Sequence, residues 1–378
     1  MIKKIIYITF FLITFLSCEN KAQILETDKL KVNKIDSLAN RYLELNRFSG
    51  QIIVAKNQTV IYNKSFGFAD YEKKTPFSNK TAFKIGEISK IITENIILKL
   101  AENETIKLTD KVSKYLNAFE SEYTINDLII DNTDSNTNTL GKLIEKVSGK
   151  NYQYNIDEYG KTLKLENTFY NKENSPVAKG YLYNNYRGKG LELHESPTYN
   201  LNDVFSSQGI KSTGNDLVKI VESNPKDINI SGYLDNDGFS YSLTSGLKNN
   251  KLIIVLSNRK HPVAGEISNS INAILDNNNV TFPLLRQPYN INKNTLKNFT
   301  GSFSVNENIN FKVVKSNDSL FVLMGPNKVH LVPQSNNQFY MNDMDASMRF
   351  LKDSTGIIKR VVLLNGFIDS DQQAIKIE

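Results

Sequence analysis

Glu87, Ser89 and Lys90, in the stretch KIGEISKIIT at residues 84–93, come nearest in type and spacing to a catalytic unit. A nucleophile three residues ahead of a lysine on a helix shares a face with it, so the amine can take the nucleophile's proton. The residue three ahead of Lys90 is Glu87. Ser89 adjoins Lys90, and a one-residue step on a helix does not point two side chains the same way. Glu87 and Lys90 are therefore expected to meet as an ion pair, with the carboxylate at a helix N-terminus, where negative charge is favoured. A carboxylate can itself be a nucleophile, but such chemistry needs a second carboxyl or base, and none stands beside Glu87 in the sequence.

Other candidates are weaker. The three histidines, His194, His261 and His330, lie far apart and give no metal-ligand spacing. Ser-x-x-Lys spacings also occur at Ser223–Lys226, Ser245–Lys248 and Ser257–Lys260, in loop and hairpin contexts. Nothing in the sequence calls for a cofactor. The single cysteine, Cys18, follows a short apolar run, Ile5–Leu16, that is preceded by Lys3 and Lys4. That run is too short to span a bilayer comfortably and has the form of an export signal.

The elements that must position Glu87 and Lys90 follow from hydrophobic periodicity. Ile35, Leu38, Ala39, Tyr42 and Leu45 recur at helical spacing. GQIIVAKNQTVIYNKSFGFAD is expected to form two strands around an Asn57-Gln58 turn. An apolar helix should run from Ile88 to about Leu100, and residues 109–150 should hold short helices and loops. From about residue 239, FSYSLTSGL and KLIIVLSN give a second hairpin around Asn249-Asn250, and VAGEISNSINAIL gives a closing helix. Helix, two strands, a helical middle, two strands and a helix suit an α+β domain, an antiparallel sheet with packed helices. PLLRQPYNINKN is a proline-bearing linker. Beyond it short alternating strands imply a C-terminal all-β, barrel-like domain. The expected organisation is a signal at 1–17, a tether at 18–34, an α+β domain at 35–282, a linker at 283–293 and a β domain at 294–378.

The opening FSGQIIVAKNQTVIYNKSFGFADYEKKTPFSNKTAFKIGEISKIITENIILKLAENETIKLTDKVSKYL resembles the serine β-lactamase and penicillin-binding protein family, in its class C and esterase-like branch. LGKLIEKVSGKNY, VAKGY, QGIKSTGNDLVKI and GFSYSLTSGLKNNKLIIVLSNR resemble later landmarks of that family, in order, and the tail resembles an appended lipocalin-like β domain. The resemblance implies acyl transfer by a serine nucleophile, a lysine one turn on, a Tyr-x-Asn motif and a Lys-Thr-Gly or His-x-Gly motif on a strand. Gly86, Ser89 and Lys90 match the first motif, but Glu87 holds the nucleophile position. Asp134-Ser135-Asn136 falls at the second, so Asn136 is kept and Asp134 replaces the tyrosine. A stretch and helical insert expected between TINDLII and this point are missing. The third should lie near SGYLDNDGF, where no lysine or histidine occurs between Ile228 and Leu247. Leu16-Ser17-Cys18 resembles a bacterial lipobox, with Phe15 at a position usually aliphatic. It implies cleavage before Cys18 and acylation of that residue.

Losing one member of a coupled nucleophile–base unit can cost about a millionfold in turnover, roughly 8 kcal/mol of barrier. Three altered motifs thus favour a non-catalytic homologue, lipid-anchored to the cell envelope and binding a peptide, a cell-wall fragment or a protein. The alternative is an active serine hydrolase acting on β-lactams, D-alanyl peptides or small esters. The formal net charge is +6 over 378 residues, with no basic block, which speaks against a nucleic-acid partner. Cys18 is expected to be lipid-modified, so Cys18→Ser should leave the protein unprocessed or release it from membranes. A free Cys18 thiol in the mass spectrum of the native protein would rule the anchor out.

Overall fold

The computed structural model describes residues 28–117, 122–172, 175–184, 192–197, 205–234, 236–260, 263–283, 289–325, 327–341, 346–364 and 372–377. The expected signal segment 1–17 and Cys18 lie outside them. Among the described residues no helix is long and apolar enough to cross a membrane. The chain divides into two units. One comprises the residues up to Tyr181 together with Glu195–Thr281, the other Leu182–His194 together with Phe282–Glu378. The segment 182–194, expected within the first domain, thus groups with the second.

The first unit opens with α1, residues 28–44. Residues 28–34 were expected in a tether, but they form its first turns. Asp28 pairs with Lys56 at 2.9 Å, and Lys31 donates to the Leu275 carbonyl at 2.8 Å, which holds this end down. Strands β1 (Gly50–Lys56) and β2 (Thr59–Phe66) form the first hairpin, and Asn57 and Gln58 both have positive φ, as its two-residue turn requires. Short strands β3 (Phe68–Asp70), β4 (Thr75–Pro76) and β5 (Phe83–Lys84) follow. A 3-10 turn at Gly86–Ile88 then leads into α2 (Ser89–Glu102). The helical middle is α3 (Ile125–Ile130), α4 (Asp134–Ser148) and α5 (Tyr152–Leu163). The side chain of Thr133 caps α4 by accepting from the Asn136 amide, and Gly149 ends the helix in the left-handed region.

A ribbon of β6 (Tyr181–Asn184) and β7 (Glu192–Glu195) precedes α6 (Phe205–Gln208), β8 (Lys211–Ser212) and α7 (Gly214–Ser223). Strand β9 (Ile228–Leu234) begins earlier than the expected return to strands near residue 239. It is followed by β10 (Phe239–Gly246), β11 (Lys251–Ser257) and α8 (Val263–Leu275). The main sheet is ordered β2-β1-β11-β10-β9, antiparallel throughout. Strands β1 and β11 carry apolar residues on both faces because both faces are covered. Ile53, Leu243, Ile254 and Leu256 join a core with α2, α4, α5 and α7. Ile253 and Val255, on the opposite face of β11, are also fully buried, and α8 packs against that strand.

The second unit is a closed barrel, β12 (Gly301–Asn306), β13 (Ile309–Ser316), β14 (Ser319–Met324), β15 (Asn327–Pro333), β16 (Gln338–Met341), β17 (Ser347–Lys352), β18 (Ile358–Leu364) and β19 (Gln373–Lys376). Eight strands leave an interior that side chains can fill. Phe303, Phe311, Phe339 and Phe350 fill it, and Phe299, from a 3-10 turn at Lys293–Phe299, packs on Phe339 and Phe350 with ring centroids 4.9 and 5.1 Å away. The expected C-terminal all-β barrel is present, with an aromatic core inside it.

Candidate functional site

The candidate site lies where the Gly86–Ile88 turn, the start of α2 and the start of α4 meet. Gly86 has φ +53°, a left-handed conformation that favours glycine, and lets the chain turn from β5 into α2. Glu87 belongs to the 3-10 turn, so the α-helix begins at Ser89, two residues later than an α-helical Glu87–Lys90 step assumes. The pair still meets, at 3.6 Å between Lys90 Nζ and Glu87 Oε2.

Asp134 is the closer partner. It sits in the first turn of α4, with Oδ1 3.0 Å from Lys90 Nζ, and its Oδ2 accepts from Gln208 Nε2 at 2.8 Å. Lys90 Nζ also donates to the Asn132 carbonyl at 3.1 Å. The lysine side chain is only 9% exposed, against 47% for Glu87 and 50% for Asp134. The lysine is thus a buried ammonium compensated by two carboxylates at the surface of the site. Glu87, Lys90 and Asp134 are brought together. Asn136 is not, because its Nδ2 donates to the Asp131 carbonyl and carboxylate at 2.6 and 3.1 Å.

No serine replaces the missing nucleophile at this lysine among the bonds of the described residues. Ser89 is buried, and its Oγ accepts from the Ile210 amide at 3.2 Å. Ser206 is buried and donates to the Thr137 carbonyl at 2.8 Å. Of the other Ser-x-x-Lys spacings, Ser223 and Ser257 donate to backbone carbonyls, and Lys226 pairs with Glu94 at 2.6 Å. His330 lies on a barrel strand beside Phe321, where burial lowers its pKa. His194 is on β7 and His261 lies outside the described residues. No group of three His, Cys, Asp or Glu among the described residues could hold a metal.

Sequence reasoning missed three contributors. Gln208 fixes Asp134, the Asn132 carbonyl caps Lys90, and Tyr241 forms the floor. Tyr241 shares the inward phase of β10 with Phe239 and Leu243, an alternation readable in FSYSL that marks core without marking site. Burial pushes its hydroxyl up to about 12, with the Glu87 and Asp134 charges adding to the effect and the Glu87 amide opposing it. Beside this site, β5 pairs with β8 and brings Lys84 and Lys211 to adjoining positions. Burial, reinforced by the nearby Lys84 charge, pulls Lys211 down to about 8, and Asp237 partly offsets this. Lys84 pairs with Asp237 at 3.0 Å, and Lys211 donates to the Tyr170 carbonyl at 2.6 Å.

An antiparallel sheet with helices on both faces, and a Gly86–Lys90 turn facing a helical subdomain, is the architecture of penicillin-recognising and β-lactamase enzymes. The model of the β-lactamase family matches residues 35–129. The chain is similar to members of the β-lactamase/transpeptidase-like family. It is 29% identical over 197 residues to a teichoic acid D-alanine hydrolase of Staphylococcus aureus, which covers 41% of this chain and 49% of that protein. The chain thus spans about half the length of the curated relatives it matches. Among solved structures, FmtA from Staphylococcus aureus superimposes with TM-score 0.55 at 23% identity, covering 68% of this chain and 90% of that one. The octameric penicillin-binding protein homologue from Pyrococcus abyssi gives 0.54 at 19% identity over 91% of this chain and 100% of that one. These structural likenesses establish the fold.

Two measurements check the electrostatics. Asp134→Asn should cost about 1–2 kcal/mol, since it removes the closer partner of a buried cation, and Glu87→Gln should cost less than about 0.5 kcal/mol. Urea unfolding that ranks them the other way would contradict the geometry. Lys211 is held below its unfolded pKa, so between about pH 8 and 10 the unfolded chain binds more protons and stability rises with pH. Lys211→Met should remove that rise in unfolding midpoint between pH 8 and 9.5.

Proposed function

We propose that this protein is a non-hydrolytic binding or scaffolding member of the β-lactamase/penicillin-binding fold, working at the bacterial cell envelope and anchored there through lipid on Cys18. The observation that carries the reading is the state of Lys90. In serine acyl transfer this amine must be free to take the nucleophile's proton. Here Asp134 holds it at 3.0 Å, the Asn132 carbonyl at 3.1 Å and Glu87 at 3.6 Å. An amine so engaged is directed at these oxygens and not at a nucleophile's proton, and the carboxylate at residue 87 has no hydroxyl to yield. The envelope setting is supported by the export-like N-terminus and by the likeness to a teichoic acid D-alanine hydrolase. A ligand drawn from the same materials, a D-alanylated polymer, a peptide or another cell-wall fragment, would meet the half-exposed Glu87 and Asp134 carboxylates without turnover.

The test is active-site labelling of the purified full-length protein. A fluorescent penicillin and a fluorophosphonate should both leave it unlabelled at concentrations that label a serine-active relative. Strong labelling that a single serine substitution abolishes would establish the hydrolase instead.

A further inference from the structure

Tyr241 lies buried against the turn that carries residue 87. The residue is 2% exposed. A Cβ added to Gly86 would fall 2.0 Å from its Cε1, and one added to Gly232 would fall 2.6 Å from its hydroxyl oxygen. The ring therefore lies against two glycines, one in the turn that carries residue 87 and one on β9, where the third motif was sought. Both glycines are as small as a residue can be, and the tyrosine takes up the room they leave. The same Cβ on Gly86 would fall 2.8 Å from the phenol oxygen, so that oxygen lies beside the turn that carries residue 87.

In acyl transfer the nucleophile's own backbone N–H is a usual donor to the developing oxyanion, and the carbonyl must be able to reach it. We propose that Tyr241 is a built-in occupant of this carbonyl slot: its ring fills the space between Gly86 and Gly232, and its oxygen stands beside the residue 87 amide, where a substrate carbonyl would otherwise reach. This deepens the non-hydrolytic reading and rests on it. The cleft then differs from an acylating one in shape as well as in reacting groups. A ligand docks over the phenol, against Glu87 and Asp134, and does not insert a carbonyl beneath residue 87.

The experiment uses the full chain and two variants. Tyr241→Phe keeps the ring and deletes the oxygen that stands beside the residue 87 amide. The Glu87 amide should then exchange with solvent about fivefold faster, while the Ile253 and Val255 amides, in the central strand β11, exchange as before. Unchanged exchange at Glu87 would overturn the proposal. Tyr241→Ala vacates the slot, and phenol as probe should raise its Tm by a few degrees without affecting the unsubstituted protein. A folded Tyr241→Ala that phenol does not stabilise would show that no formed slot lies beneath the ring and would equally overturn it. Should Tyr241→Ala fail to fold, the phenylalanine variant decides alone. Penicillin labelling of a serine in the unsubstituted protein would sink the non-hydrolytic reading while leaving the amide-exchange result to stand or fall by itself.

Discussion

The ammonium of Lys90 is buried at the point where three helical elements converge, and a buried charge is costly unless paired. That requirement organises the site. The start of α4 must approach α2 closely enough for Asp134 to reach Nζ at 3.0 Å and for the Asn132 carbonyl to reach it at 3.1 Å. Gln208, at the end of α6, orients the second oxygen of Asp134. Behind this polar layer the Thr93 hydroxyl meets the Tyr152 hydroxyl at 2.6 Å and the Ser206 carbonyl at 2.9 Å, and Ser206 reaches Thr137. Helices α2, α4, α5 and α6 are thus tied by buried hydrogen bonds around the lysine. Partly satisfied networks of this kind are expensive and fully satisfied ones are rigid.

The sheet sets the other side of the site. The alternation of Phe239, Tyr241 and Leu243 with Ser240 and Ser242 pins the register of β10, because a one-residue slip would exchange its two faces. The register places Tyr241 opposite Gly232, and the inward phase of β10 aims its ring at the turn before α2. The floor of the cleft therefore depends on strand register in the same way that its wall depends on the Lys90 pairing.

Much of this was legible in the sequence, and the unread parts have physical reasons. The two hairpins, α2 and α8 follow from periodicity and from turn residues, such as Asn57 and Gln58, that accept positive φ. Strand β9 was passed over because INISGYL pairs through its backbone along the sheet edge, and its side chains alternate between buried and exposed without a strong apolar run. The meeting of Glu87 with Lys90 could be read from spacing. The closer contact with Asp134 could not, since it joins residues 44 positions apart whose approach is decided by packing. Tyr241 looked like any inward strand residue because alternation reports burial and says nothing about what stands opposite.

Glu87, Asp134 and Tyr241 form one physical unit. The two carboxylates share a single cation, so each sets the charge the other experiences, and the phenol lies within the field of both. Contacting residues of this kind do not contribute additively. A serine at residue 87 would still face a lysine held by Asp134, and a lysine freed from Asp134 would still face a slot filled by Tyr241. The stable arrangement of this cleft is thus maintained by three mutually consistent side chains drawn from a 3-10 turn, a helix start and a strand. On the proposed reading, serine acyl transfer at Lys90 would require all three positions to change together, whereas a binding surface can retain two exposed carboxylates above the Tyr241 ring with no such coordination.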